Sequence, residues 1–145
     1  MGWENCHMYE FNIQNQRIGI PLDGMDDYFS RSKILDAEEV SLDSHITRAR
    51  QKFVYEYDFG DGWLHEIKVE KSLPRESKTK YPVCMDGELR CPPEDCGGVG
   101  GYYDLLEILE DDEHPDYEEI LEWIGDTFDP KYFDKSEVNK VLRRL

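Results

Sequence analysis

The chain has 145 residues, which is near the commonest size of a single domain and enough to bury a hydrophobic core. Its 33 acidic and 17 basic residues give a net charge of −16, and so acidic a surface repels a phosphate backbone, so direct nucleic-acid binding is not expected. The sequence has no apolar run long enough for a membrane span and no basic, apolar leader, so we expect a cytosolic protein.

The first third of the chain predicts two antiparallel strands. Aromatic and polar residues alternate from Tyr9 to Ile13 with the period of a half-buried strand, and residues 17–20 follow after a turn at Asn15-Gln16. Residues 21–33 are predicted to form a long polar loop. Ser41 is expected to cap a short helix that extends to about residue 50.

The middle of the chain predicts a clearer hairpin. Residues 53–57 alternate with aromatic side chains on one face, and residues 63–69 do the same with Trp63 and His65 on one face. The glycine-containing turn at 59–62 joins them as antiparallel neighbours. A smaller hairpin is expected at Asp86-Gly87.

The C-terminal third predicts three amphipathic helices, because apolar residues recur at i, i+3, i+4 and i+7 within residues 102–109, 117–124 and 138–145. Gly125 is expected to end the second helix and Ser136 to cap the third. We therefore predict one α+β domain over residues 1–145, with amphipathic helices packed on an antiparallel or mixed sheet.

Two segments carry an unusual mixture of aromatics, carboxylates and glycines. The first is Tyr57-Asp58-Phe59-Gly60-Asp61-Gly62-Trp63-Leu64-His65, and the second is Pro92-Pro93-Glu94-Asp95-Cys96-Gly97-Gly98. With Tyr81-Pro82-Val83-Cys84 and Phe128-Asp129-Pro130, they resemble the plasmid pRiA open-reading-frame-three-like family. The resemblance implies an α+β fold and an association with plasmids and insertion sequences, but no established reaction.

The N-terminus departs from the pattern of that family. Members begin with a strand and a helix that ends near a Gly-Trp step, and Gly2-Trp3, Asn5 and His7 match that point here. We therefore expect this chain to lack the strand–helix unit, either because the sequence starts late or is truncated, which we favour, or because this member does not have the unit. The sheet edge that such a loss would expose favours self-association.

The carboxylates and histidine of the two segments are the candidate site residues. Their oxygen and nitrogen atoms could bind a divalent metal. The stiff Pro-Pro loop could also position its carboxylates for general acid–base chemistry. Alternatively, the aspartates accept hydrogen bonds from turn amides, the tryptophan packs in the core and the histidine is bonded within the sheet. The candidate residues are Asp58, Asp61, Trp63, His65, Glu94 and Asp95.

Two further patterns are open to a chemical and a structural interpretation. Cys84, Cys91 and Cys96, with His65 or Cys6 as a fourth ligand, could bind zinc, although their spacing differs from that of common zinc knuckles. Buried thiols are the alternative. The glycines at 97–101 precede a helix, as in a phosphate site, but they lack a P-loop lysine and indicate a close-packed connection instead.

These patterns favour a non-catalytic binding or accessory module whose partner is an unknown protein or small molecule. Tyr57 and Trp63 are expected to supply contact area, and the carboxylates polarity or cation binding. The alternative is a metal-dependent hydrolase that uses Asp58, Asp61, His65, Glu94 and Asp95 with a bound divalent metal as cofactor.

Overall fold

The chain folds into two compact units, and the computed structural model describes residues 2–21, 33–125 and 127–144. The sheet unit comprises the described residues from 5 to 73 together with 97–99. The helical unit comprises residues 2–4, 74–96 and the described residues from 100 to 144. The polar loop predicted for 21–33 lies outside the described residues, apart from its first and last positions.

The described strands form one mixed sheet in the sheet unit. The spatial order is β3-β2-β1-β4-β5, and all neighbours are antiparallel except β2 and β3, which run parallel. The first two predicted hairpins, β1–β2 and β4–β5, are present, and β1 pairs with β4 where the hairpins meet. The strands are β1 (Tyr9–Ile13), β2 (Gln16–Gly19), β3 (Leu35–Asp36), β4 (Lys52–Tyr57) and β5 (Trp63–Lys68).

The turn of the first hairpin lies one residue earlier than predicted. Ile13 pairs with Gln16, so Gln14 and Asn15 form the two-residue turn. Their φ values are 54° and 64°. Two consecutive left-handed residues are what a type I′ turn requires, and the twist of that turn matches the twist of the flanking strands.

The core of the sheet unit lies on one face of the sheet. Ile13, Ile18 and Phe53 pack together there and are at most 5% exposed. Side chains from the segment that follows β2, including Leu35 and Ile46, cover this cluster. Burial of each large apolar side chain contributes about 1.5–3 kcal/mol, so this end of the sheet holds the two hairpins together.

The prediction of a helix over residues 41–50 is wrong. Only a single 3-10 turn, Leu42–Ser44, occurs there, and Ser41 makes no capping bond with its side chain. The amide of Arg50 donates to the carbonyl of Val69 at 2.6 Å, and the amide of Val69 donates to the carbonyl of Gln51 at 2.9 Å. These bonds extend the pairing of β4 with β5 and occupy backbone groups that a helix would need.

The described part of the C-terminal third is helical, as predicted, with α1 (Gly98–Glu110), α2 (Tyr117–Ile124) and α3 (Lys135–Leu142). Gly125 follows α2 with a φ of 82°, and its amide donates to the carbonyl of Leu121. The cap of α3 is Asp134 rather than Ser136. The carboxylate of Asp134 accepts from the amides of Ser136 and Glu137, so Ser136 already lies inside the first turn.

The small hairpin predicted at Asp86-Gly87 does not form, since residues 83–88 contain no strand. The side-chain amide of Asn139 instead pairs with the backbone of Cys84, accepting from its N–H and donating to its carbonyl, both at 2.9 Å. The amide of Arg90 donates to the carbonyl of Pro130. Residues 127–139 thus supply the hydrogen-bond partners that the second strand of a hairpin would have provided.

The α+β class, the mixed sheet and the helical C-terminal third are therefore confirmed. Within residues 2–21, 33–125 and 127–144, none of the helices combines the length and the apolarity needed to cross a bilayer.

Candidate functional site

The loop Asp58–Gly62, which joins β4 to β5, is closed by its own hydrogen bonds. Asp58 has a φ of 52°, and its Oδ1 accepts from the amide of Gly60 at 2.9 Å. The amide of Gly62 donates to the carbonyl of Asp58 at 2.6 Å, and the amide of Asp58 donates to the carbonyl of Met8 at 2.9 Å. The aspartate therefore forms an Asx turn, as the structural interpretation predicted, and holds the loop in a left-handed conformation.

The second segment reaches this loop through its glycines. The amide of Gly97 donates to Oδ2 of Asp61 at 3.1 Å. The α-carbon of Gly98, whose φ is 67°, packs so closely on the backbone of Asp61 that a β-carbon there would overlap the Asp61 carbonyl. The glycine run is thus a close-packed connection, as predicted, and a carboxylate of the chain itself accepts the amide just before α1.

His7 is a neighbour of Asp58 that our sequence interpretation did not include in the site. Its Nδ1 lies 3.8 Å from Oδ2 of Asp58, whose residue is only 8% exposed. Its ring meets the ring of Tyr57 edge to face, with the centroids 5.9 Å apart. The register could have revealed this position, because Tyr9 pairs with Tyr57, and an antiparallel strand then places residues 7 and 8 beside residue 58.

The aromatic residues of the first segment divide into buried and exposed ones. Tyr57 and Trp63 are 1% and 9% exposed. Trp63 therefore packs in the core, and the prediction that these two residues supply contact area is wrong. Phe59 and Leu64 present apolar surface instead, at 49% and 68% exposed.

His65 is bonded within the sheet. Its Nδ1 lies 3.1 Å from the carbonyl oxygen of Tyr55, and its ring is 5.4 Å from the Tyr55 ring. His65 pairs with Tyr55, whereas Trp63 pairs with Tyr57 next to the loop, so the histidine sits two pairs further along the hairpin. In the described part of the sheet unit, Asp58, Asp61 and His65 do not bring three ligand atoms within 4.8 Å of one another.

Glu94 and Asp95 belong to the helical unit. That they share one site with the carboxylates of Asp58 and Asp61 stays a prediction. Oε1 of Glu94 accepts from the amide of Glu4 at 2.7 Å. Asp95 is exposed and has a φ of 56°. The carbonyl of Cys96, next in the chain, leaves no room for a β-carbon at Gly101, so the beginning of α1 is fitted closely to this segment.

The three cysteines of the helical unit occupy different environments. The thiol of Cys84 donates to the carbonyl of Asp86 at 3.4 Å. Burial raises the pKa of the Cys91 thiol to about 11, and burial likewise raises the pKa of Tyr102, with the neighbouring Cys96 and Cys91 adding to the effect. Among the described residues of this unit, Cys84, Cys91 and Cys96 do not place three sulfur atoms within 4.8 Å, so zinc binding stays a prediction.

Comparison with known proteins gives a consistent result. The family model described as plasmid pRiA4b ORF-3-like protein matches residues 1–137. The uncharacterized protein y4hQ of Sinorhizobium fredii is 40% identical over 147 aligned positions, which cover 100% of this chain and 73% of that protein. A crystal structure of a protein of unknown function from Methanosarcina mazei Go1 superposes with a TM-score of 0.79 at 37% identity, covering 93% of this chain and 74% of the other.

Proposed function

The chain belongs to the plasmid pRiA4b ORF-3-like protein family, and from that premise we propose that it is a non-catalytic binding module that serves mobile genetic elements as an accessory protein. Its binding surface is the loop Asp58–Gly62, flanked by Trp63 and His65. Glu94 and Asp95 of the second segment are the further predicted members. The ligand is a protein or a small molecule that presents an apolar group next to a cation.

One observation carries the proposal: three of the candidate groups, Asp58, Asp61 and His65, each bond to the backbone and help to hold it. Asp61 accepts the amide of Gly97, Asp58 accepts the amide of Gly60, and Nδ1 of His65 meets the carbonyl of Tyr55. A general acid or base must reach a proton of the substrate. Groups that fix a loop instead give it the rigidity that lowers the entropic cost of binding a ligand.

The exposed side chains support the choice of ligand. Phe59 and Leu64 offer the apolar contact that most binding surfaces place at their centre. The loop carries two carboxylates within four residues, in a chain with a net charge of −16, so a cationic group on the ligand is favoured over an anionic one.

A fragment screen followed by nitrogen-15 amide spectra tests the proposal without a known ligand. Small aromatic amines are the probes, and we expect the amides of Gly60 and Gly62 to shift. Phe59→Ala should weaken binding about tenfold, as expected for a contact of about 1.4 kcal/mol. Leu73→Ala removes a more exposed side chain of the same unit, 75% exposed and outside the loop, and should leave binding unchanged. Hits that map elsewhere would overturn the proposal.

A second candidate function rests on the pair formed by His7 and Asp58. An imidazole nitrogen 3.8 Å from a buried carboxylate oxygen is a combination that divalent metals accept. A bound cation would then activate water for hydrolysis, with Asp58, Asp61, His65, Glu94 and Asp95 as the predicted residues. Elemental mass spectrometry of the purified protein separates the two functions, because a stoichiometric divalent ion that is lost in Asp61→Ala and Glu94→Ala favours the hydrolase.

A further inference from the structure

The helical unit carries a surface whose charge is opposite to that of the rest of the chain. Residues 74–90 and 127–144 hold nine of the 17 basic residues and only six of the 33 acidic ones. Several of these six acids are engaged locally, for example Asp134 in capping α3 and Glu137 in accepting from the hydroxyl of Tyr132. The basic side chains at 131, 135, 140, 143 and 144 all belong to exposed residues.

Residues 84–90 and 130–144 of these segments form one continuous surface, which we call the docking surface. Cys84 is bonded to Asn139, a β-carbon at Gly87 would overlap the ring of Phe133, and Arg90 is bonded to Pro130. Residues 84–90 therefore run antiparallel to residues 139–130 and lie against them along their length.

Apolar side chains are exposed on this surface among the positive charges. Met85, Leu89 and Val141 are 78%, 62% and 59% exposed. Exposed apolar groups beside basic residues are typical of a surface that binds an acidic, amphipathic segment. Burial of the apolar groups provides affinity, and the complementary charges fix how the bound segment is oriented.

The chain itself contains a segment with the complementary chemistry. From Asp104 to Glu122, across most of α1 and α2, it carries ten acidic residues and no lysine or arginine. Tyr103 and Trp123, at the two ends of this acidic segment, are 63% and 50% exposed. In the described part of the chain, no ion pair joins the acidic segment to a basic side chain of the docking surface. The two complementary regions are therefore not neutralised by each other within one molecule.

We propose that the docking surface binds the acidic segment of a second copy of the chain. The contact is heterologous, since two different faces meet, so it continues from copy to copy unless the rotation closes a ring. The net charge of −16 opposes association, but at about 0.15 M salt the Debye length is roughly 8 Å, so repulsion between distant charges is screened more strongly than attraction between charges in contact.

Sedimentation velocity of the full chain at about 0.15 M salt tests the proposal. The mass of the wild type should rise with concentration and fall to that of a monomer at about 1 M salt. Lys140→Glu/Arg143→Glu reverses two charges of the docking surface. Glu110→Lys/Glu122→Lys reverses two charges of the acidic segment, at positions near the C-terminal ends of α1 and α2, where the helix dipole favours a lysine. Each double variant alone should be monomeric. Their equimolar mixture should regain association, because the intact docking surface of one variant can bind the intact acidic segment of the other.

Two controls keep the result interpretable. Arg48→Glu/Lys71→Glu makes the same change in net charge on exposed residues of the sheet unit, and it should associate like the wild type. If the reversals in α3 unfold the protein, Lys131→Glu/Arg144→Glu alters the same surface at exposed positions outside the helix. A wild type that stays monomeric, a control that loses association, or a mixture that fails to pair would each overturn the proposal, whether or not the surface binds another acidic molecule such as an oligonucleotide.

Discussion

The α-carbon of Gly98 rests on the carbonyl group of Asp61, so closely that a methyl group at Gly98 would overlap the oxygen. This contact and the hydrogen bond from Gly97 to the Asp61 carboxylate join the end of the second segment to the loop of the first. Gly97 and Gly98 thereby build one corner of the sheet unit with a loop that lies more than 30 residues earlier in the chain.

Gly98→Ala should destabilise the protein strongly. A left-handed residue with a β-carbon costs about 1–2 kcal/mol, and displacing the Asp61 carbonyl adds to that cost. Gly100→Ala is the matched control, because its β-carbon meets nothing within 4 Å and it lies in the same helix. That control should be neutral or stabilise by about 0.5–1 kcal/mol. Urea unfolding of both variants measures the difference, and equal midpoints would contradict the contact.

Asp58→Ala should lower the free energy of unfolding by about 0.5–1.5 kcal/mol, because the partly buried hydrogen bond from the amide of Gly60 is lost. Asp58→Asn should cost much less. Asparagine keeps an acceptor oxygen and tolerates the φ of 52°. Thermal unfolding of the pair gives the comparison, and an asparagine variant as unstable as the alanine variant would show that the charge matters rather than the turn.

Asp134→Ala should destabilise α3 by about 1 kcal/mol through loss of its N-cap. Ser136→Ala should change stability by less than about 0.5 kcal/mol, since its side chain does not cap the helix. Circular dichroism during thermal unfolding measures both. The reverse order would restore Ser136 as the cap that the sequence suggested.

The Cys91 thiol should react slowly with iodoacetamide. Its pKa is raised to about 11 by burial, so little of the reactive thiolate exists near neutral pH. Cys6, which is exposed, is the internal reference and should be alkylated first. Peptide mass mapping at successive times gives the two rates. Equal rates would contradict the raised pKa of the half-buried Cys91.

The same raised pKa predicts a loss of stability at high pH. In the unfolded chain the thiol ionises near its ordinary pKa of 9.0, whereas the folded protein keeps the proton until the pH reaches about 11. The folded state therefore binds more protons in this window, and the free energy of unfolding falls as the pH rises through it. Cys91→Ala should make this slope shallower in urea unfolding between those pH values.

The sheet could be predicted because its pattern is local. Alternation of aromatic and polar residues fixed which face of β1, β4 and β5 is buried, and the Asx turn at Asp58 needs only residues two positions apart. The helix expected after Ser41 failed because Arg50 and Gln51 bond to Val69, a partner that no local pattern reveals.

In the candidate site, too, the local contacts could be predicted from the sequence and the long-range contacts could not. The bond of His65 within the sheet and the burial of Trp63 follow from the alternation along β5. The acceptance of the Gly97 amide by Asp61 joins residues 36 positions apart, and the approach of His7 to Asp58 depends on the pairing of β1 with β4. Such long-range contacts follow from register and packing rather than from composition.

The measurement that most directly tests the structural role of the loop carboxylates is a titration with Zn²⁺, Mn²⁺ and Mg²⁺, followed at the amide resonances of Gly60 and Gly97. We predict that both resonances stay in place, because Asp58 and Asp61 already accept hydrogen bonds from these amides. A saturable change at one equivalent of metal, abolished in Asp58→Asn, would contradict this role and identify the loop as a metal site.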